Sequence, residues 1–169
     1  MARTEIEHVV TPSLWDRLTD ESPNTSIDLP ISRAESERAF RRSVERDVED
    51  LLNTRRTMFP APDALSAVHH SVYEYGLVDT TGVPVGTPSG RERLLVALRD
   101  AIVRFEPRLS DTRVRIIDED QSKAPQVRFV VEAVLLMDRQ REQVVFDTVL
   151  EVASGEYDVH AGASSDAGT

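Results

Sequence analysis

Hydrophobic positions change period along this chain, and that change predicts its architecture. Phe40, Val44, Val48, Leu51 and Leu52 recur at steps of four, four, three and one, which keeps them on one helical face. The other face carries Arg41, Arg42, Glu45, Arg46 and Glu49. Ser32-Arg33-Ala34-Glu35 opens this helix as a capping box, and Asn53 suits its end. Pro60-Ala61-Pro62-Asp63 breaks the chain and starts a shorter helix over roughly 64–74 that stops at Gly76. A loop follows over 79–90. Ser89-Gly90-Arg91-Glu92 then forms a second capping-box pattern ahead of the stripe Leu94, Leu95, Leu98, Ile102 and Phe105. Pro107 ends that helix by driving the preceding residue out of the α region.

Beyond 112 the period becomes two. Val114 and Ile116 alternate with arginines, and Val127, Phe129, Val131, Ala133, Leu135 and Met137 share one face of a strand over 126–137. Its other face mixes Arg128 and Glu132 with Val130, Val134 and Leu136. DRQRE reads as a polar hairpin loop, 143–152 as the returning strand, and 156–160 as a short last strand. The fold class is α+β, with N-terminal helices packed on an antiparallel β-meander with a long hairpin. The twelve positions of 126–137 exceed the usual strand length of ~5–6. They predict an overhang, or an edge another chain can extend.

Residues 1–31 form an N-terminal arm, interrupted by Pro12, Pro23 and Pro30, with Leu14, Trp15 and Leu18 at the spacing of one docking turn or two. Residues 32–160 form a single α+β domain, and 161–169 read as a disordered tail. The start lacks a signal-peptide pattern and no apolar run nears ~20 residues, so the chain reads as cytoplasmic.

Composition narrows the chemistry. The chain has no cysteine, which removes disulfides, thiolate nucleophiles and Cys-based zinc sites. A net charge of −10 argues against nucleic acid as a partner. Charge is uneven: 91–115 holds seven arginines and four acids, whereas 116–169 holds eleven acids and four bases. All basic residues except Lys123 are arginine, a bias that suits carboxylate-pairing interfaces and that genome composition produces equally well. The glycines at 82, 86 and 90 do not match a phosphate-binding loop. His69, His70 and Glu74 read as surface residues of a short helix rather than as metal ligands. No cofactor or metal is expected.

One stretch stands out. In Phe105-Glu106-Pro107-Arg108-Leu109 the proline stiffens the backbone, and Glu106 and Arg108, two apart in extended chain, point to one side. The pair reads either as a local helix stop or as a contact motif presenting an acid and a base to a partner.

FEPRL resembles the Glu-Pro-Arg signature of the phage baseplate-wedge family often called tail-lysozyme-like, and within it the TssE-like baseplate subunits of type VI secretion systems. PSLWDRLTD at 12–20, SVERDVEDLLNTRR at 43–56 and SVYEYGLVD at 71–79 carry the same resemblance in the family's order. Glu74 departs from the small polar residue expected before Tyr-Gly-Leu. The resemblance implies a structural protein beside TssF/TssG-like wedge core subunits. It also implies a fold similar to the handshake domain of TssB/TssC-like sheath subunits, from which sheath assembly starts by strand exchange. By the same resemblance Glu106, Pro107 and Arg108 are the partner contact. Leu51, Leu52, Asn53, Thr54 and Arg55 end the first helix and lock it to that corner, and Tyr75 and Gly76 form a structural turn. Core packing plus a helix C-cap is the competing reading of this stretch, and for Leu51 and Leu52 core packing is the favoured one. The family's association with muramidase activity leaves a peptidoglycan hydrolase as the alternative function, with a small regulatory binder as a third. An acid catalyst would need Glu106 beside a second carboxylate, whereas its neighbours are Arg104 and Arg108, so no enzyme is expected.

Overall fold

The computed structural model describes residues 10–19, 32–80, 82–117, 126–138 and 140–162. Its helices are α1 (Leu14–Leu18), α2 (Arg33–Asn53) and α3 (Pro88–Phe105). Strands β1 (Leu109–Ile117), β2 (Gln126–Met137), β3 (Gln140–Glu151) and β4 (Glu156–Ala161) form one antiparallel sheet in sequential order. The fold is α+β, helices first and a meander after. No helix among the described residues is long and apolar enough to cross a membrane.

The chain divides into two compact units, 1–44 and 45–169. In the first, Ser13 caps α1 by accepting from the Asp16 amide, and one turn forms in which Leu14, Trp15 and Leu18 are exposed. The α2 capping box closes as expected: the Ser32 amide donates to Glu35 at 2.9 Å, and the Glu35 amide donates to Ser32 Oγ at 3.3 Å. Those bonds hold the Glu35 carboxyl below its ordinary range. Ser36 Oγ donates to the Val10 carbonyl at 3.0 Å.

The second unit holds Val48, Leu51 and Leu52 of α2 and Leu94, Leu98, Ala101 and Ile102 of α3, all buried. Phe129, Val131, Ala133 and Leu135 of β2 are buried on the same alternate positions that the sequence pattern picks out, joined by Phe146, Leu150, Tyr157 and Val159. Val127, at the start of that series, is half-buried.

Several elements differ from the expectation. Over 64–74 no α-helix forms; 3₁₀ turns at Val68–His70 and Val72–Glu74 flank an extended Ser71. The Ser71 hydroxyl donates to the Val68 carbonyl and accepts from the Tyr73 amide, replacing helical bonds with local ones. The α3 cap is Thr87, not Ser89: Thr87 Oγ1 accepts from the Gly90 amide, and Pro88 takes the first helical position. Gly90 itself packs so tightly that a Cβ there would lie 2.2 Å from the Pro84 carbonyl oxygen. Strand β1 starts at Leu109, because a bulge between Ser110 and Arg113, with Asp111 at φ 54°, breaks its alternation. The DRQRE segment is mostly strand: Met137 pairs with Gln140, so only 138 and 139 connect β2 to β3. Backbone pairing there tolerates polar side chains on exposed positions.

Of the two outcomes expected for the long hairpin, the overhang is the one seen. β1 flanks β2, but β4 pairs only with 146–151 of β3, so among the described residues the first half of β3 runs past β4. Ala161 extends β4 by pairing with Phe146, and the Gly162 amide reaches the Val145 carbonyl. The rest of the expected tail, 163–169, lies outside the described residues, as do 1–9 and 20–31 of the arm.

Candidate docking corner and its supports

The α3 helix ends at Phe105 because Pro107 follows two residues on. Glu106 is the C-cap, its amide donating to the Ile102 carbonyl at 2.8 Å. The Leu109 amide then closes a tight turn onto the Glu106 carbonyl at 3.1 Å. The Leu136 amide donates to the Arg108 carbonyl at 2.8 Å, so the corner leads straight into the β1–β2 ladder.

The side chains do not share one outward face. Glu106 is 4% exposed, Arg108 is half-buried, and Pro107 alone is exposed. Both Glu106 carboxylate oxygens are occupied by Arg108: Nε donates to Oε1 at 2.6 Å, Nη2 donates to Oε2, and the Arg108 amide also donates to Oε1 at 3.2 Å. Arg108 Nη2 continues to Asp47 Oδ2 of α2 at 2.7 Å. One guanidinium thus ties a helix end to a second helix. Burial opposes its charge, but the bonds and negative charges of Glu106, then of Asp47, outweigh burial and hold its pKa above the ordinary arginine value.

A second hub lies beside it. Glu74 is 2% exposed, and its Oε1 accepts from the Ala61 amide at 2.9 Å and meets His69 Nδ1 at 2.9 Å. Its Oε2 accepts from Arg104 Nη1 at 2.7 Å, with Arg56 at 3.9 Å. The Ala61 amide first, then the His69 bond, hold the Glu74 carboxyl below its ordinary range although burial pushes the other way. These contacts pin the whole 56–75 loop to the last turn of α3. The Tyr75 ring meets the Phe105 ring edge-on at 5.3 Å between centroids. Burial, and then the charges of Asp50, Asp47 and Glu106, push the Tyr75 hydroxyl upward. The pinned loop leaves Met58, Phe59 and Val72 77–89% exposed.

The remaining residues singled out from sequence serve two places. Leu51 and Leu52 are buried in the core. Asn53 does not reach the corner. Its side-chain amide donates to the Tyr157 carbonyl and accepts from the Tyr157 amide, both at 2.8 Å, so it pairs with β4 as a neighbouring strand would. Glu45, two turns earlier, accepts from the Ala161 amide at 2.7 Å, so α2 side chains occupy outward amides of β4 at both ends. The Thr54 carbonyl accepts from the Leu77 amide at 2.8 Å, and Arg55 bridges Leu77 in parallel. Gly76, at φ 103°, lies so close that a Cβ would sit 2.3 Å from the Thr54 oxygen. Tyr75 and Gly76 are therefore a turn that only this backbone geometry permits.

Asp47, Ala61 and Arg104 escaped the sequence reading as members of these hubs. Asp47 sits among charged neighbours on a helix, and nothing in its spacing distinguishes it. His69 and Glu74 were visible together, but as surface residues of a short helix; the structure instead buries Glu74 and half-buries His69 within 3₁₀ turns, because the loop folds onto Arg104.

The model of the family described as baseplate wedge protein gp25 matches residues 38–140, more than half of the chain. The chain belongs to that family. The match spans α2 from residue 38 onward, both hubs, the corner and all of β1 and β2. None of the curated proteins matches the chain. As a gp25-family protein it is a structural component of a baseplate wedge, of the TssE-like kind, whose role implies contact with other baseplate components.

Proposed function

We propose that this gp25-family chain serves a contractile injection apparatus of the type VI class. In this reading it works in the cytoplasm, docks to TssF/TssG-like wedge core subunits and initiates a sheath of TssB/TssC-like subunits. Residues 32–160 serve as its single wedge-like α+β domain, with 1–31 as an N-terminal arm and 161–169 as a C-terminal tail. Two observations support docking at this end of α3: Pro107 is exposed, and Met58, Phe59 and Val72 are exposed on a loop that Glu74 ties to Arg104 of the same helix. Pro107 makes the contact, and Glu106 and Arg108 hold it in place from inside. Leu51, Leu52, Asn53, Thr54, Arg55, Tyr75 and Gly76 support the frame.

The protein is not an enzyme in this reading. Glu106 spends both oxygens on Arg108, and the nearest acid in its network, Asp47, lies beyond the same guanidinium. That arrangement suits an ion-paired strut rather than a proton donor with a second carboxylate across a cleft.

The test is co-purification of wedge and sheath subunits with tagged Phe59→Ser/Val72→Ser protein and with wild type from native lysate. Both positions are exposed, so stability should stay within about 0.5 kcal/mol of wild type. Loss of wedge partners with an unchanged melting curve is expected. Full retention of those partners would remove this surface from the docking site.

A further inference from the structure

We propose that α2 guards the free edge of β4, its side chains standing in for a further strand and keeping another chain from pairing there. β4 is the last strand of the sheet, so every second residue turns its amide and carbonyl away from β3. The bonds made at Tyr157 and Ala161 identify those positions, and period two adds Val159 between them. Left bare, such an edge is a template for strand addition.

The spacing on α2 matches that row. Glu45, Glu49 and Asn53 stand four apart on one helical face, a step of ~6 Å, against ~6.6–6.8 Å for two residues of a strand. The two rows run in opposite directions. Glu45 meets Ala161 and Asn53 meets Tyr157, which leaves Glu49 opposite Val159. The chemistry differs along the row. Asn53 carries a donor and an acceptor side by side, as a peptide group does, and bonds both the carbonyl and the amide of Tyr157 at 2.8 Å. Glu45 offers acceptors only and takes the Ala161 amide at 2.7 Å. Glu49 is half-buried between them. Burial first, and then the charges of Asp158 and Asp50, push its carboxyl upward, the mark of an acid held close to the strand.

The edge so covered would otherwise suit a copy of itself. Two β4 strands laid antiparallel about Val159 bring Tyr157 of each copy opposite Ala161 of the other, so all the outward positions find partners. Tyr157 and Val159 favour strands, and their side chains are anchored in the core at 4% and 2% exposure. The edge therefore stays extended whether or not α2 covers it. A contact that merely steadied α2 would, on removal, cost stability and add no partner. A guard would add one.

The experiment is light scattering on the purified full chain across a concentration series, comparing wild type with E45A/N53A and with E45A/N53A/D158K/H160K. Alanine keeps α2 helical and removes both stand-in groups. Folded E45A/N53A is expected to associate severalfold more tightly than wild type. Positions 158 and 160 are exposed and face each other across a β4–β4 pair, so the added lysines should return the mass to the wild-type value. Folded E45A/N53A that associates no more than wild type overturns the proposal, as does association that the lysines leave intact. Should E45A/N53A fail to fold, E45A alone decides, because it opens only the 161 end of the edge. Its Ala161 amide should exchange hydrogen severalfold faster than in wild type, and the folded chain should gain association that D158K/H160K removes. Faster exchange with no gain in association overturns the proposal, and so does unchanged exchange.

Discussion

Glu106 and Glu74 are both buried carboxylates at the C-terminal end of α3, yet they do different work. Glu106 is bonded by an arginine two residues away, and the resulting pair reaches out once, to Asp47. Glu74 is bonded by groups 13, 5 and 30 residues away, and so closes a long irregular loop. The first shapes a corner whose backbone the proline has already stiffened. The second supplies order where secondary structure does not. A buried carboxylate is costly unless it is fully paired, and the two sites meet that requirement by a single fork and by several separate donors.

Removing one partner separates the two designs most sharply at the fork. Arg108→Ala strands Glu106 without its charge partner, and chemical denaturation should show a loss of about 3–5 kcal/mol. Arg108→Lys should recover little of it, because an ammonium cannot satisfy both oxygens and Asp47 with the same geometry.

At Glu74 the load is shared, so Glu74→Gln should lower the melting temperature by less than Arg108→Ala does. The substitution keeps an oxygen for the Ala61 amide and loses the charge facing Arg104. Acid should narrow the gap between Glu74→Gln and wild type. The folded pKa of Glu74 lies below the unfolded one, so its contribution is present above ~4.3 and is lost as pH falls through the depressed folded value. A gap that stays constant down to pH 2 would mean that the carboxylate's charge is not what closes the loop.

Away from both hubs, Asn53→Ala leaves the Tyr157 amide and carbonyl unpaired and should cost about 1–3 kcal/mol by the same denaturation measurement. The smallest effect belongs to the α2 cap, where Ser32→Ala should cost about 1 kcal/mol.

Periodicity made the main elements legible. The stripe from Val48 to Leu52 and the alternation from Phe129 to Met137 report burial directly, because one side of each element faces the core. It failed where the chain departs from a single period. The bulge at Asp111 concealed the start of β1, and the Ser71 hydroxyl split an expected helix into two turns. Sheet order was likewise invisible: strand length suggested that the hairpin overhangs or lies at an edge, and pairing places it at the centre with the first half of β3 overhanging β4.

The corner was legible as a motif and misjudged as a surface. A glutamate and an arginine two apart in an extended segment point the same way, but that direction here is inward, toward Asp47. Only the fold could show this, since Asp47 lies 61 residues upstream. The pairing of Asn53 with Tyr157 was hidden for the same reason, at a separation of 104 residues.

The Glu-Pro-Arg corner as an internal latch is tested most directly by a double-mutant cycle on stability between Asp47→Ala and Arg108→Ala. A latch predicts that the two losses are not additive, with a coupling of about 0.5–3 kcal/mol between positions in contact. Additive losses would contradict it and make Arg108 a surface group that touches Asp47 without depending on it.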